Sequence, residues 1–210
     1  MTAAWPTLKR GIVAILRGLA PDEARAVGRT VFEAGIEAIE VPLNSPDPFH
    51  SIEAIVADLP KTTLVGAGTV LTAANVERLH AAGGKLLVSP NVDPAVLGRA
   101  ADFSIVTMPG VFTATEAFLA IKSGASALKF FPASVLGAKG IAAIGAVLPK
   151  DITVGVVGGI SETDFSDYAK IGVRTFGLGS SLYKPGMSVA EVGSRAVAAV
   201  TAWDQVFAGD

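Results

Sequence analysis

Short runs of apolar residues recur along the chain at Gly11–Leu16, Ala38–Leu43, Leu64–Ala67, Leu86–Ser89, Ser104–Met108, Ala127–Phe131, Thr153–Val157 and Thr175–Leu178. Each is followed by a turn or helix-cap signal and then by apolar positions at helical spacing. Pro21-Asp22-Glu23 precedes Ala24, Val27, Val31 and Phe32, and Thr113-Ala114-Thr115-Glu116 precedes Phe118 and Ile121. The spacing of Thr113 and Glu116 predicts a capping box. Within the runs hydrophobicity is mostly continuous rather than alternating, as a parallel sheet covered on both faces requires, with helices as the crossovers. The repeating unit is a strand followed by a helix, and the class is α/β.

Such a series fits an open doubly wound sheet or a closed (β/α)8 TIM barrel, and the barrel is the expectation. A 210-residue chain gives each unit about 26 residues, near the lower limit for the barrel, and closure removes edge strands that would need protection. Dinucleotide folds lack support: Gly66-Ala67-Gly68-Thr69-Val70-Leu71 and Gly177-Leu178-Gly179 have no third glycine, and no GxxxxGK[ST] motif occurs. The units share no repeat signature, which argues against a solenoid. The 23 glycines and 12 prolines are dispersed without a linker, so residues 1–210 read as one domain.

Composition narrows the chemistry. The chain is 50% hydrophobic and 17% charged, with mean hydropathy +0.52, which excludes a disordered chain. Lys and Arg number 17 against 19 Asp and Glu, with no basic block, so no nucleic-acid partner is expected. No uncharged run reaches the roughly 18 to 20 residues of a membrane span; Phe103–Thr115, for example, is interrupted by Pro109 and Gly110. The apolar run at Gly11–Leu16 is too short for a secretory signal, and a cytoplasmic location with no membrane partner is the default reading. There are no cysteines, and the two histidines, His50 and His80, fall in helical stretches. No metal and no cofactor are expected. Chemistry is left to lysine, arginine, carboxylates, hydroxyls and the backbone.

In a barrel, functional groups gather at the C-terminal ends of the strands. Three ionisable residues lie in or at the end of apolar runs: Arg17 closes Ile12–Leu16, Glu40 interrupts Ala38–Leu43, and Lys129 interrupts Ala127–Phe131. Each is costly to bury alone, so the three are expected to converge on one polar interior site. The other lysines precede strands or belong to helices and turns. A lysine among Leu128, Phe130 and Phe131 loses ammonium hydration, which frees its amine to attack a carbonyl carbon. A structural ion pair between Lys129 and Glu40 explains the same placement. Glu40 offers a proton shuttle beside an imine, Arg17 a fork for a carboxylate or phosphate, and Thr69 either a hydroxyl for substrate or a plain cap. Glycines follow the last two strands, in Val157-Gly158-Gly159-Ile160-Ser161 and Gly177-Leu178-Gly179-Ser180-Ser181. These are the loops at which barrels frequently bind phosphate, so a phosphorylated ligand is expected.

The chain resembles the 2-dehydro-3-deoxy-phosphogluconate/phosphogalactonate aldolase family of class I aldolases along its whole length. The resemblance is carried, in order, by Ala14-Ile15-Leu16-Arg17-Gly18, Ile39-Glu40-Val41-Pro42-Leu43-Asn44-Ser45-Pro46, Val65-Gly66-Ala67-Gly68-Thr69-Val70-Leu71, Ser89-Pro90-Asn91, Met108-Pro109-Gly110, Leu128-Lys129-Phe130-Phe131-Pro132, Val157-Gly158-Gly159 and Leu178-Gly179-Ser180. It implies that Lys129 forms a Schiff base and that Glu40 is the general acid/base. It further implies that Arg17 and Thr69 bind substrate and that Gly159, Gly179 and Ser180 bind its phosphate. Where the gluconate branch has Leu-Arg-Thr, this chain has Leu43-Asn44-Ser45, and Val157 replaces a threonine before the Gly-Gly pair; both departures look like the galactonate branch. The implied reaction cleaves a phosphorylated 2-dehydro-3-deoxygalactonate to pyruvate and glyceraldehyde 3-phosphate in galactose or galactonate catabolism, without a cofactor, in a homotrimer. The alternatives are the gluconate-specific aldolase, a phosphosugar epimerase or isomerase, and a non-catalytic phosphosugar-binding regulator.

Overall fold

A computed structural model describes residues 3–208, so the first two and last two positions of the 1–210 unit lie outside the described residues. The order is β1 (Ile12–Ile15), α1 (Pro21–Glu33), β2 (Ala38–Pro42), α2 (Pro48–Asp58), β3 (Leu64–Gly68), α3 (Ala73–Ala81), β4 (Leu86–Val88) and α4 (Pro94–Asp102). It continues with β5 (Val106–Met108), β6 (Gly110–Val111), α5 (Ala114–Lys122), β7 (Ala127–Phe130), α6 (Ala133–Gly145) and β8 (Thr153–Val157). A 3₁₀ turn (Glu162–Asp164), α7 (Phe165–Ala169), β9 (Thr175–Leu178) and α8 (Val189–Val206) complete it. The capping box forms as expected: Glu116 Oε2 accepts the Thr113 N–H at 2.8 Å, and Thr113 Oγ1 accepts the Glu116 N–H at 3.3 Å.

All strand pairs are parallel, in the order β5-β4-β3-β2-β1-β9-β8-β7-β6. The two ends of that order are consecutive in the chain, joined by Pro109 alone, so one interrupted strand closes the barrel. The expected fifth strand, Ser104–Met108, is thereby corrected. Ser104 has φ 53° and belongs to the preceding turn, while Pro109, which has no N–H to donate, splits the strand and Gly110–Val111 resumes pairing with β7. The bond across the break is the Lys129 N–H to the Pro109 carbonyl at 2.9 Å.

Beneath the continuous hydrophobicity lies a period of two, because successive strand residues face opposite sides. Ile12, Ala14, Leu16, Ile39, Val41, Leu128, Phe130, Val156, Phe176 and Leu178 face outward into the helix-covered core. Val13, Ala38, Leu64, Leu86, Val88, Val106, Met108 and Ala127 form a separate cluster inside the barrel, against which Ala3, Trp5 and Leu8 pack. Ser126 Oγ donates to the Ala3 carbonyl at 2.6 Å, tying that segment to the N-terminal end of β7. The lower interior is therefore filled and apolar. Glu40 and Lys129, two residues beyond Ala38 and Ala127, share their interior facing and lie closer to the opposite mouth. Among the described residues no helix is long and apolar enough to cross a membrane.

Candidate active site

Each of the candidate site residues falls in the middle or C-terminal half of a strand or just beyond its end. Glu40 lies on β2 and Lys129 on β7; Arg17, Thr69, Gly159 and the Gly179-Ser180 pair follow β1, β3, β8 and β9. With β5 and β6 counted as one position, β2 and β7 stand opposite each other in the ring. Lys129 and Glu40 therefore enter the barrel interior from facing walls.

Both are buried, Glu40 at 2% and Lys129 at 6% exposure. Among the described residues Glu40 Oε2 has no hydrogen-bond partner, and the ion pairs found there lie elsewhere. The two charges are thus near enough to influence each other without forming a closed salt bridge. Burial pushes the Glu40 carboxyl up to about 7, opposed by the positive charges of Lys129 and Arg17. Burial likewise pulls the Lys129 ammonium down to about 8, opposed by Glu40 and assisted by Arg17. The Lys129 Nζ lies 4.6 Å from the centroid of the Phe131 ring, a cation–π cover that favours the ammonium form. An amine and a carboxyl that both exchange protons near neutrality suit proton transfer at a carbonyl carbon.

Room for the carboxyl comes from Gly68, since a methyl group there would overlap Glu40 Oε2. The next residue, Thr69, has φ 57°, a left-handed conformation that is a genuine outlier for a β-branched side chain. Strain of this kind, costing about 1–3 kcal/mol, clusters at functional sites.

Arg17 differs from its expected place. It does not enter the interior but is exposed at the rim, because β1 stops at Ile15 and the chain turns at Gly18 with φ 85°. Its guanidinium Nη1 donates to Asn44 Oδ1 at 2.5 Å, and the Gly18 N–H donates to Ser45 Oγ at 2.8 Å. The Asn44-Ser45 pair therefore fixes the β1 loop from the β2 loop. From the rim Arg17 still acts on both buried groups through its charge.

The two glycine loops stand side by side because β8 and β9 are paired. Gly158 and Gly159 have φ 94° and 69°. The Phe131 ring covers Gly158, and Ser134 Oγ lies against Gly159, where in either case a methyl group would collide. Among the described residues none of the backbone hydrogen bonds in turns and loops uses the N–H of Gly159, Ser180 or Ser181. Free donors on two adjacent loops are what an anion cradle needs. Sequence reasoning passed over Ser134, and it had Phe131 only as an apolar neighbour of Lys129 and Asn44 only as a departure from the gluconate pattern. Among the described residues no three His, Asp or Glu side chains gather as metal ligands.

The geometry has parallels in known proteins. Residues 7–199 match the family model described as KDPG and KHG aldolase. The chain is 60% identical over 204 residues, 97% of its length and 96% of the relative's, to a protein of Rhizobium meliloti named probable 2-dehydro-3-deoxy-6-phosphogalactonate aldolase. It is 45% identical over 199 residues, 95% of its length and 97% of the relative's, to 2-dehydro-3-deoxy-6-phosphogalactonate aldolase of Escherichia coli. A solved structure described as native KDPGal superimposes with a TM-score of 0.94 at 44% identity, covering 97% of this chain and 98% of that one.

Proposed function

The chain belongs to the KDPG and KHG aldolase family, and from that premise we propose that it cleaves 2-dehydro-3-deoxy-6-phospho-D-galactonate to pyruvate and D-glyceraldehyde 3-phosphate through an imine on Lys129. The observation that carries the mechanism is the facing of two buried groups, Lys129 and Glu40, across the barrel with their proton affinities drawn together. The free amine of Lys129 attacks the C2 carbonyl carbon, and the carbinolamine loses water to give the protonated imine. Glu40 then takes the proton of the C4 hydroxyl as the C3–C4 bond breaks. The bonding pair flows to the imine nitrogen, leaving an enamine, and glyceraldehyde 3-phosphate departs. Glu40 returns the proton to C3, and water hydrolyses the imine to release pyruvate and the amine. Arg17 and the Thr69 hydroxyl hold the substrate carboxylate end, while Gly159, Gly179 and Ser180 hold the phosphate.

The galactonate epimer is favoured by Asn44 and Val157, the two positions at which the chain departs from the gluconate pattern, and by the names of the relatives. Val157 ends β8 buried at the mouth against Gly177, and presents no hydroxyl to the C4 position. Comparison of kcat/KM on the two C4 epimers tests the substrate. The expected result is turnover of the galactonate epimer at least as efficient as that of the gluconate; a strong preference for the gluconate would overturn the choice. The active assembly is a homotrimer, for which the exposed Phe112, Phe118 and Leu119 at and before α5 offer apolar contact surface. Sedimentation should give a trimer mass, and a stable monomer would contradict it.

A further inference from the structure

The loop after β9 is held by hydrogen bonds from outside the residues so far given a role. The Gly179 carbonyl accepts the N–H groups of Leu182 at 2.8 Å and Tyr183 at 2.9 Å. Arg195, on the exposed side of α8, donates through Nη1 to the carbonyls of Ser180 at 3.4 Å and Ser181 at 3.1 Å. Ser181 Oγ donates to the Ile160 carbonyl at 3.2 Å, which ties this loop to the one after β8. At the far end of the loop, the buried Tyr183 donates its phenol proton to Glu23 Oε1 at 2.6 Å, at the start of α1. Three successive carbonyls, those of residues 179–181, are thus held by hydrogen bonds.

That arrangement decides where the donors point. In a trans peptide the C=O and the following N–H lie in one plane and point in opposite directions. Anchoring the Gly179 carbonyl within the turn aims the Ser180 N–H the other way, and anchoring the Ser180 carbonyl on Arg195 aims the Ser181 N–H away from α8. Among the described residues these two N–H groups take part in none of the loop hydrogen bonds. We propose that Arg195 and Ser181 are positioning residues that preorganise the donors of both glycine loops, so that they set the enzyme's discrimination in favour of a phosphorylated aldehyde. Arg195 acts from behind the loop through the carbonyls, and its positive charge on the same side adds to the attraction for a phosphate. The inference rests on the reading that Gly159, Gly179 and Ser180 hold the phosphate.

The test runs the reaction in the condensation direction, with pyruvate and either D-glyceraldehyde 3-phosphate or unphosphorylated D-glyceraldehyde, on Arg195→Met, Arg195→Lys and Ser181→Ala. For Arg195→Met the KM for the phosphorylated aldehyde should rise about tenfold, a loss of about 1.4 kcal/mol, with kcat nearly kept. The ratio of kcat/KM for the phosphorylated over the plain aldehyde should fall by the same factor, and Arg195→Lys should restore part of it. Ser181→Ala, which deletes one hydroxyl, should lower the ratio in the same direction and carries the test if the arginine variants misfold. An unchanged ratio, or equal losses on both aldehydes, would overturn the proposal. Borohydride trapping of pyruvate on each protein separates the failures. Absence of trapping in the wild type sinks the imine mechanism, and a wild type with no preference for the phosphorylated aldehyde sinks the phosphate reading, whereas intact trapping and preference with an unchanged ratio in the variants sink only the role of Arg195 and Ser181.

Discussion

Lys129→Met should lower kcat/KM by on the order of 10⁴-fold or more while leaving the fold at least as stable. The loss is large because the nucleophile disappears, and with it the imine that accepts the electron pair of the breaking bond. No second lysine can take over, since Lys129 is the lysine buried in the barrel interior. Stability is kept because methionine has similar length and reach, and an amine that loses hydration on burial is exchanged for an apolar group. Thermal unfolding of the variant beside its assay separates the two effects. A variant that is folded and still turns over at more than a hundredth of the wild-type rate would exclude Lys129 as the nucleophile. In the wild type, burial favours the uncharged amine, so the rate of imine formation with pyruvate should climb as pH rises through about 8.

Glu40→Gln should lower kcat by about 10²–10⁴-fold, the range typical of a positioned general acid or base. The amide matches the carboxyl in shape and keeps the packing against Gly68, but it cannot take the C4 hydroxyl proton or return a proton to C3. The cleanest readout is exchange of the pyruvate methyl protons in deuterated water, which passes through the enamine. Exchange should be rapid in the wild type and lost in Glu40→Gln, and persistence of exchange would reassign the base. The sign of a second effect is also fixed. Glu40 holds the Lys129 ammonium up, so its removal should move the titration of Lys129 downward and shift the pH profile of imine trapping toward acid.

Much of this was legible in the sequence because it is local. Continuous apolar runs and the cap signals after them marked the strands and helices, and Lys129 and Glu40 stood out because an ionisable side chain inside an apolar strand needs a reason. The two-residue step from Ala38 to Glu40 and from Ala127 to Lys129 then gives their interior facing. What the sequence hid depends on where the chain turns or on contacts between distant segments. Arg17 looked like a third interior charge, yet a strand two residues shorter than its apolar run puts it at the rim on Asn44. Pro109 splits the fifth strand because it has no N–H to donate, while its carbonyl still accepts the Lys129 N–H of the neighbouring strand. Arg195 reads as one more charge on an amphipathic helix, and only the return of α8 over the β9 loop brings it to the Ser180 and Ser181 carbonyls. From the sequence Gly68 is only part of a glycine motif without its third member, and the carboxyl that fills its missing side chain comes from the neighbouring strand.

The central claim is that Lys129 carries the substrate as an imine, and borohydride reduction in the presence of pyruvate, followed by intact and peptide mass measurement, tests it most directly. The expected result is a single stable adduct of reduced pyruvate on the peptide containing Lys129. No adduct, or an adduct on any other lysine, would contradict it.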